Sequence, residues 1–432
     1  MHRMFLRPFC LLALLVTGMI AYAQHDDHSG HEQDDHHEEA HHDGEHGDNN
    51  GHAHDAECGE HDHQHGPYDP KATAMHHIAD ANVYTILDFV RIPLPCILYS
   101  KETGWYIFMS SKFGPGHHDD GHYAYNGYVL HEGSVMKVIE PGFPAVGKHE
   151  VGGFSSDHGA DKTQHFVCYQ GEPQLLEAKT VWDGGILGGG VTSFYDFSMT
   201  KNVVSMILVS LLLFFLFRSA ARGYAVREGG APKGAQSLLE PVVTYIRDEV
   251  AIPFIGEKQY MKFLPLLLSM FFFILGLNLW GQVPFLGGTN VTGSLTLTAI
   301  LAIIVFLVSN FNGNRHYWQH IFWMPGVPVF VKPLLAFIEL LSLFIKPLTL
   351  MLRLAGNISA GHIAIISFIG LIFIFGNSGE SLGGGVVGSV LSTLLTMFMM
   401  AIELIVAFVQ AFVFTLLSAS YIGAAVEEHE HH

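Results

Sequence analysis

The pattern of hydrophobic and polar positions changes twice along this chain. Between residues 24 and 66 almost nothing is apolar. His25, His28, His31, His36, His37, His41 and His42 open a run that continues to His65 among Asp and Glu, with no Lys or Arg from Gln24 to Pro70. A tract with so little to bury cannot offset its ordering entropy and is expected to be disordered. From 67 to 198 the apolar residues come in short runs bounded by Gly, Pro and Asp. Trp105 to Met109, Tyr123 to Leu130 and Thr163 to Tyr169 are expected strands of a small β-rich region. From Met199 onward the runs are long. Met199 to Phe217, Phe263 to Trp280 and Ser294 to Phe311 each approach the roughly 20 residues that span a bilayer. Leu238 to Ile252 instead mixes Glu240, Arg247, Asp248 and Glu249 with its apolar positions, as an interfacial amphipathic helix does. Pro333 to Phe375 and Val386 to Ile422 are oversized. At 1.5 Å per residue, about 43 residues would measure about 64 Å, so such helices must tilt steeply or bend.

The expected fold is therefore an all-α polytopic membrane protein of five membrane helices, the last two long and tilted, with one interfacial helix. A disordered His-rich tract and a small β-rich extracytoplasmic region precede it. The extreme N-terminus reads as a signal peptide: Arg3 and Arg7, an apolar stretch from Phe9 to Ile20, and the small-x-small site Ala21-Tyr22-Ala23. The boundaries are 1–23 for the signal, 24–66 for the acidic His-rich tract, 67–198 for the β-rich extension, 199–426 for the membrane domain and 427–432 for a cytoplasmic tail. Arg218, Arg222, Arg227, Lys233, Arg247, Lys258 and Lys262 crowd the connection after the first span, whereas 281–293 and 376–385 hold no Lys or Arg. The positive-inside rule makes that first connection cytoplasmic. Five crossings then leave the N-terminus extracytoplasmic and the C-terminus cytoplasmic, consistent with the signal.

Charge changes the picture little. The net charge of -18 belongs mostly to the first third, although only 14 % of residues are charged, and no basic stripe suggests nucleic acid. Of four cysteines, Cys10 lies in the signal and Cys58 in the His-rich tract, so Cys96 and Cys168 are the expected pair. The His-rich tract shows no fixed ligand spacing, and a solvated tail with adventitious metal affinity is favoured over a built metal site.

Chemistry enters with polar residues inside the long apolar runs, where ionisable groups are costly and usually mark an ion path or a paired site. The first long run carries Glu339, Ser342, Lys346, Arg353, Asn357 and His362, and the last carries Glu403 and Gln410. On a helix, Glu339, Lys346, Arg353 and Asn357 share one side and His362 points to the other. A guanidinium holds its charge permanently and cannot relay protons, whereas Glu403 and His362 can titrate. A fixed cation beside titratable groups suits a device that takes protons from a passing carboxylate. A plain helix-clamping pair, Arg353 with Glu403 or Glu339, is the simpler alternative, but it leaves Asn357, His362 and Gln410 unexplained.

The stretch Pro347-Leu348-Thr349-Leu350-Met351-Leu352-Arg353-Leu354-Ala355-Gly356-Asn357-Ile358-Ser359-Ala360-Gly361-His362 resembles the signature of the F-type ATP synthase a subunit. Glu339-Leu340-Leu341-Ser342 with Lys346, Asn278 with Gln282-Val283-Pro284, Ser294 to Thr298, and Glu403 with Val409 to Phe414 fit the same family over about residues 195–427. The resemblance implies a proton-translocating stator subunit of the bacterial inner membrane, partnered by a c-ring, b subunits and the remaining ATP synthase subunits. Arg353 is then similar to the essential arginine facing the c-ring carboxylate. Asn357, His362, Glu403 and Gln410 resemble the outer half-channel, and Glu339 and Ser342 the route to the cytoplasm. No catalysis, cofactor or metal of its own is implied, and no P-loop is present. Two departures stand out. The imidazole of His362 and the carboxylate of Glu403 exchange the places usual in bacteria, as in mitochondrial versions, and the extension before residue 195 is unusual. A His-rich membrane metal transporter is the alternative, but His or carboxylate pairs at helical spacing are missing from the spans. A membrane-anchored enzyme or adhesion domain would leave Arg353 and Glu403 without a role.

Overall fold

The computed structural model describes residues 79–86, 90–116, 119–158, 163–180, 192–226, 231–283, 289–324, 326–376 and 381–427. The expected signal peptide and His-rich tract lie outside them. Two compact units emerge, Asp80–Lys201 and the described residues of Asn202–His432.

The first unit is β-rich. Strands β1 (Val83–Ile86) and β2 (Val90–Pro93) form a hairpin. β3 (Pro95–Ser100), β4 (Gly104–Met109) and β12 (Phe194–Asp196) make a three-stranded antiparallel sheet in the order β12-β3-β4. The remaining strands are β5 (Tyr123–Tyr125), β6 (Tyr128–His131), β7 (Ser134–Val138), β8 (Lys148–Glu150), β9 (Phe154–His158), β10 (Thr163–Tyr169) and β11 (Glu172–Glu177). They form a seven-stranded sheet ordered β8-β5-β6-β7-β11-β10-β9. β6 is buried on both faces. Tyr128 and Leu130 enter one core with Cys96, Leu98, Phe113 and Phe194, while Val129 enters a second with Met136, Phe143 and Val167. Its sequence YVLH consequently lacks the polar alternation of a one-sided strand.

Tyr123 to Leu130 is two strands rather than one. Asn126 and Gly127 take φ of +53° and +78°, the mirror-image two-residue turn that matches strand twist and demands positive φ at both positions. Glu132-Gly133 and Gln170-Gly171 repeat it, each pair with both φ values positive. The expected cysteine pair is also absent. Cys96 is a free, fully buried thiol, and Cys168 is disulfide-bonded to another partner. The reason is strand parity. Cys96 projects inward from β3 into the first core, whereas Cys168 alternates with buried Val167 on β10 and so projects away from the second.

The second unit is helical. Helix α1 (Lys201–Val226) runs past the expected end, so Arg218 and Arg222 lie on the helix and not in a loop. The amphipathic segment contains α2 (Ala235–Tyr245), a π-helical turn (Ile246–Ala251) and the short α3 (Ile252–Ile255). α4 (Tyr260–Gln282), α5 (Leu295–Phe311) and α6 (Arg315–Phe322) follow. The unit ends with α7 (Lys332–Phe375, 44 residues) and α8 (Leu382–Val426, 45 residues). By length and composition α1, α4, α7 and α8 are each able to cross a membrane. α5 and α6 make a pair bent by 103° that would count as a fifth.

Helices α7 and α8 pack along a seam of small residues at their connected ends. A methyl on Gly384 would land on the Phe375 carbonyl oxygen, and one on Gly388 would stand 2.8 Å from Phe375 Cβ. Ser392 Oγ donates to the Phe368 carbonyl at 2.6 Å. At the opposite end Asn314 Nδ2 donates to the Val426 carbonyl at 2.9 Å, and a methyl on Gly423 would strike the Phe254 carbonyl oxygen. Side chains this small let backbones touch, which is how helices associate where no water is available to drive them together.

Candidate functional site

Near the middle of α7 and α8, His362 turns toward Glu403 and places Nδ1 3.8 Å from Oε1. Glu403 is 3 % exposed. Gly361 makes the approach possible, since a methyl there would stand 3.0 Å from Glu403 Oε1. That oxygen has no hydrogen-bond partner among the described residues.

Helix α4 brings Asn278 to the same region. Its Nδ2 donates to the Ala407 carbonyl at 3.2 Å, one turn along α8 from Glu403, and its Oδ1 accepts from Thr292 Oγ1 at 2.6 Å. Asn290 Nδ2 donates to Ser359 Oγ at 3.4 Å, and Ser359 Oγ donates to the Gly293 carbonyl at 3.3 Å. A methyl on Gly281 would sit 3.7 Å from His362 Nε2, so the end of α4 closes on the imidazole as well. The turn between α4 and α5 thus joins α4, α7 and α8 through polar side chains.

The same turn and its flanks carry buried polar atoms without a hydrogen-bond partner among the described residues: Gln282 Nε2, Thr289 Oγ1, Asn290 Oδ1 and Thr296 Oγ1. Each would cost about 1–3 kcal/mol if left dry, and such a concentration is the usual mark of a region that water occupies.

The other expected residues are placed differently. Arg353 and Asn357 lie on the exposed side of α7, one turn apart. Arg353 makes no ion pair among the described residues, so the clamp to Glu403 or Glu339 is not formed. Gln410 is buried on α8, two turns beyond Glu403. Glu339 and Ser342 are half-buried on the first turns of α7, far along the helix from His362. Between them and Arg353, Lys346 stands 5.6 Å from the Tyr421 ring, in a recess also lined by Ser309, Asn310 and Tyr317. One polar zone lies near the middle of the α7–α8 pair and the other toward the start of α7, with Arg353 between them in sequence. Asn290 was not foreseen as part of either zone. It belongs to a turn-rich connection whose sequence carries no periodicity, and only its contact with Ser359 reveals it. The His362–Glu403 approach joins two helices and cannot be read from either alone.

Comparison with known proteins decides the family. The family model described as ATP synthase A chain matches residues 203–423, more than half of the chain. The chain belongs to the ATP synthase A chain family. A second model, described only as a domain of unknown function, matches residues 73–160. An ATP synthase subunit a of Chloroherpeton thalassium is 37 % identical over 250 residues, covering 55 % of this chain and 69 % of the relative. One from Anaeromyxobacter sp. is 35 % identical over 244 residues, and the chain spans 56 % of that protein's length. One from Myxococcus xanthus is 36 % identical over 246 residues, covering 76 % of the relative. The metal-transporter alternative finds no support in this membership. Among the described residues no group of three or more His, Cys, Asp and Glu is placed to hold a metal.

Proposed function

We propose that the chain is the proton-translocating a subunit of a rotary ATP synthase and forms the stator face against a c-ring. In this reading protons enter the bilayer from the α4–α5 connection. They pass the polar cluster of Asn278, Asn290, Thr292 and Ser359 and reach Glu403 and His362, with Asn357 and Gln410 completing the outer half-channel. From there they load a carboxylate on the adjacent ring, whose neutral form can face lipid. After nearly a full rotation that carboxylate meets the inner half-channel, where Glu339 and Ser342 carry the proton toward the cytoplasm. Arg353, exposed on α7 and permanently charged, favours the ionised carboxylate and repels a proton that would leak directly between the half-channels. Five spans, with α5 as the third, put the N-terminus outside and the C-terminus inside a bacterial inner membrane. ATP chemistry belongs to other subunits, and the c-ring and b subunits are the expected neighbours.

The observation that carries this reading is the division of labour on α7. His362 faces inward to a buried carboxylate and a string of polar groups, while Arg353 and Asn357 lie on the exposed side of the helix. The test is ATP-driven acidification of inverted vesicles with Arg353→Ala. An assembled variant should lose coupled pumping. Normal pumping by an assembled variant would sink the mechanism.

A further inference from the structure

The β-rich unit carries a surface that the proposed function does not use. In the three-stranded sheet the inward residues Cys96, Leu98 and Phe194 are fully buried. The alternate residues of β4 point out, and Trp105, Ile107 and Met109 are 60 %, 73 % and 42 % exposed. Cross-strand pairing sets Ile97 beside Ile107 and Tyr99 beside Trp105. Phe197, just after β12, extends the same face, with its ring 5.6 Å from Trp105. No charged residue occupies an outward position on these strands. The solvated face of an antiparallel sheet is ordinarily polar. A contiguous apolar and aromatic face marks a place where something docks.

The chain path says what that is. After β12 the backbone continues along β3, Phe197 N donating to Ile97 O at 2.8 Å and Met199 N to Pro95 O at 3.0 Å. α1, a helix of 26 residues long and apolar enough to span, begins at Lys201. Four residues reach at most about 14 Å when fully extended, so this face cannot stand far from the start of a membrane span. Tyr and Trp beside Ile and Met is the composition that sits at the headgroup level of a bilayer.

We propose that the outward face of the β12-β3-β4 sheet docks on the lipid surface of the bilayer from which α1 starts. The face anchors the extension to the membrane, with Ile107 and Met109 entering the boundary between headgroups and acyl chains. The proposal rests on α1 being a span, and the experiment separates failure of that reading from failure of the docking. A benzoylphenylalanine photo-crosslinker is placed in the full-length chain, in native membranes with the complex assembled, by Ile107→benzoylphenylalanine, and separately at Leu212 and Val146. All three side chains are exposed, so the core is untouched. Leu212 lies within α1, and Val146 lies on the seven-stranded sheet's β7–β8 connection. Lipid adducts at Leu212 and Ile107, with none at Val146, support the proposal. Lipid at Leu212 but only protein adducts at Ile107 overturn it, whether the partner is another subunit, a second copy or another segment of this chain. Equal lipid yields at Ile107 and Val146 also overturn it. No lipid at Leu212 overturns the span itself.

Discussion

Gly361→Ala tests whether the close approach of α7 to α8 holds Glu403 in its working position. The added methyl would stand 3.0 Å from Glu403 Oε1, 3.2 Å from Cδ and 3.4 Å from Cγ. Carbon pairs are comfortable at about 3.5–4.0 Å, so several side-chain atoms must retreat together by a few tenths of an ångström. Glu403 is 3 % exposed and has little free space. Its Oε1 has no hydrogen bond within the described residues to resist the movement, so the carboxyl group should swing and lengthen the 3.8 Å separation from His362. Overpacking of this kind costs about 1–3 kcal/mol. If the first 1–2 kcal/mol of that falls on the proton-transfer barrier, the rate falls about 5–30-fold. The assay is the initial rate of ATP-driven acidification in inverted vesicles, normalised to assembled complex. Gly383→Ala is the control, because a methyl there meets nothing within 4 Å. A Gly361→Ala complex that assembles fully and pumps at the native rate would refute the idea that this contact positions the carboxylate.

Asn278→Leu removes a donor to Ala407 and the acceptor for Thr292, both in a buried setting. It should lower the melting temperature of the purified complex, with about 1–3 kcal/mol lost for the stranded Thr292 hydroxyl. An unchanged transition would show that water substitutes for the amide. Gly423→Ala places carbon against the Phe254 backbone, which cannot rotate away as a side chain can. It should reduce the amount of assembled subunit in membranes more than Gly361→Ala does, and equal amounts on an immunoblot would contradict the packing. In the β-rich unit, burial pushes the Cys96 thiol up to about 12, with Asp196 adding to the effect. Cys96 should therefore resist maleimide at pH 8 until the protein is unfolded, and fast native labelling would count against its placement. The folded form holds that thiol proton more tightly than the unfolded chain. The stability this contributes is intact below the unfolded thiol's pKa and is lost as pH climbs from about 9 toward 12, which alkaline melting curves would show.

The helical half was legible because its apolar runs are long compared with any soluble element, and each expected span overlaps a helix. Their ends moved by a few residues, most at α1, where Arg218 and Arg222 extend the helix beyond the apolar run. A helical wheel placed His362 opposite Arg353, and it is His362 that turns to Glu403 of α8. What the wheel could not supply was the partner's register. Glu403 meets His362 only because Gly361 admits it, a relation between residues 42 positions apart. The β-rich unit was harder. Its strands are three to seven residues long. β6 serves two cores at once, and of its three mirror-image hairpins only Asn126-Gly127 uses the pair that ordinarily announces one. The pairing of Cys96 with Cys168 was wrong because it depended on which way each strand faced.

The seam of glycines where α7 turns into α8 has an evolutionary consequence. At Gly384 and Gly388 even a single added carbon meets main chain or a Cβ rather than a yielding side-chain tip. Drift at such positions has nowhere to go, because every alternative residue is larger. The distance between the helix axes at that end is fixed by the smallest side chain available, and can only be lost.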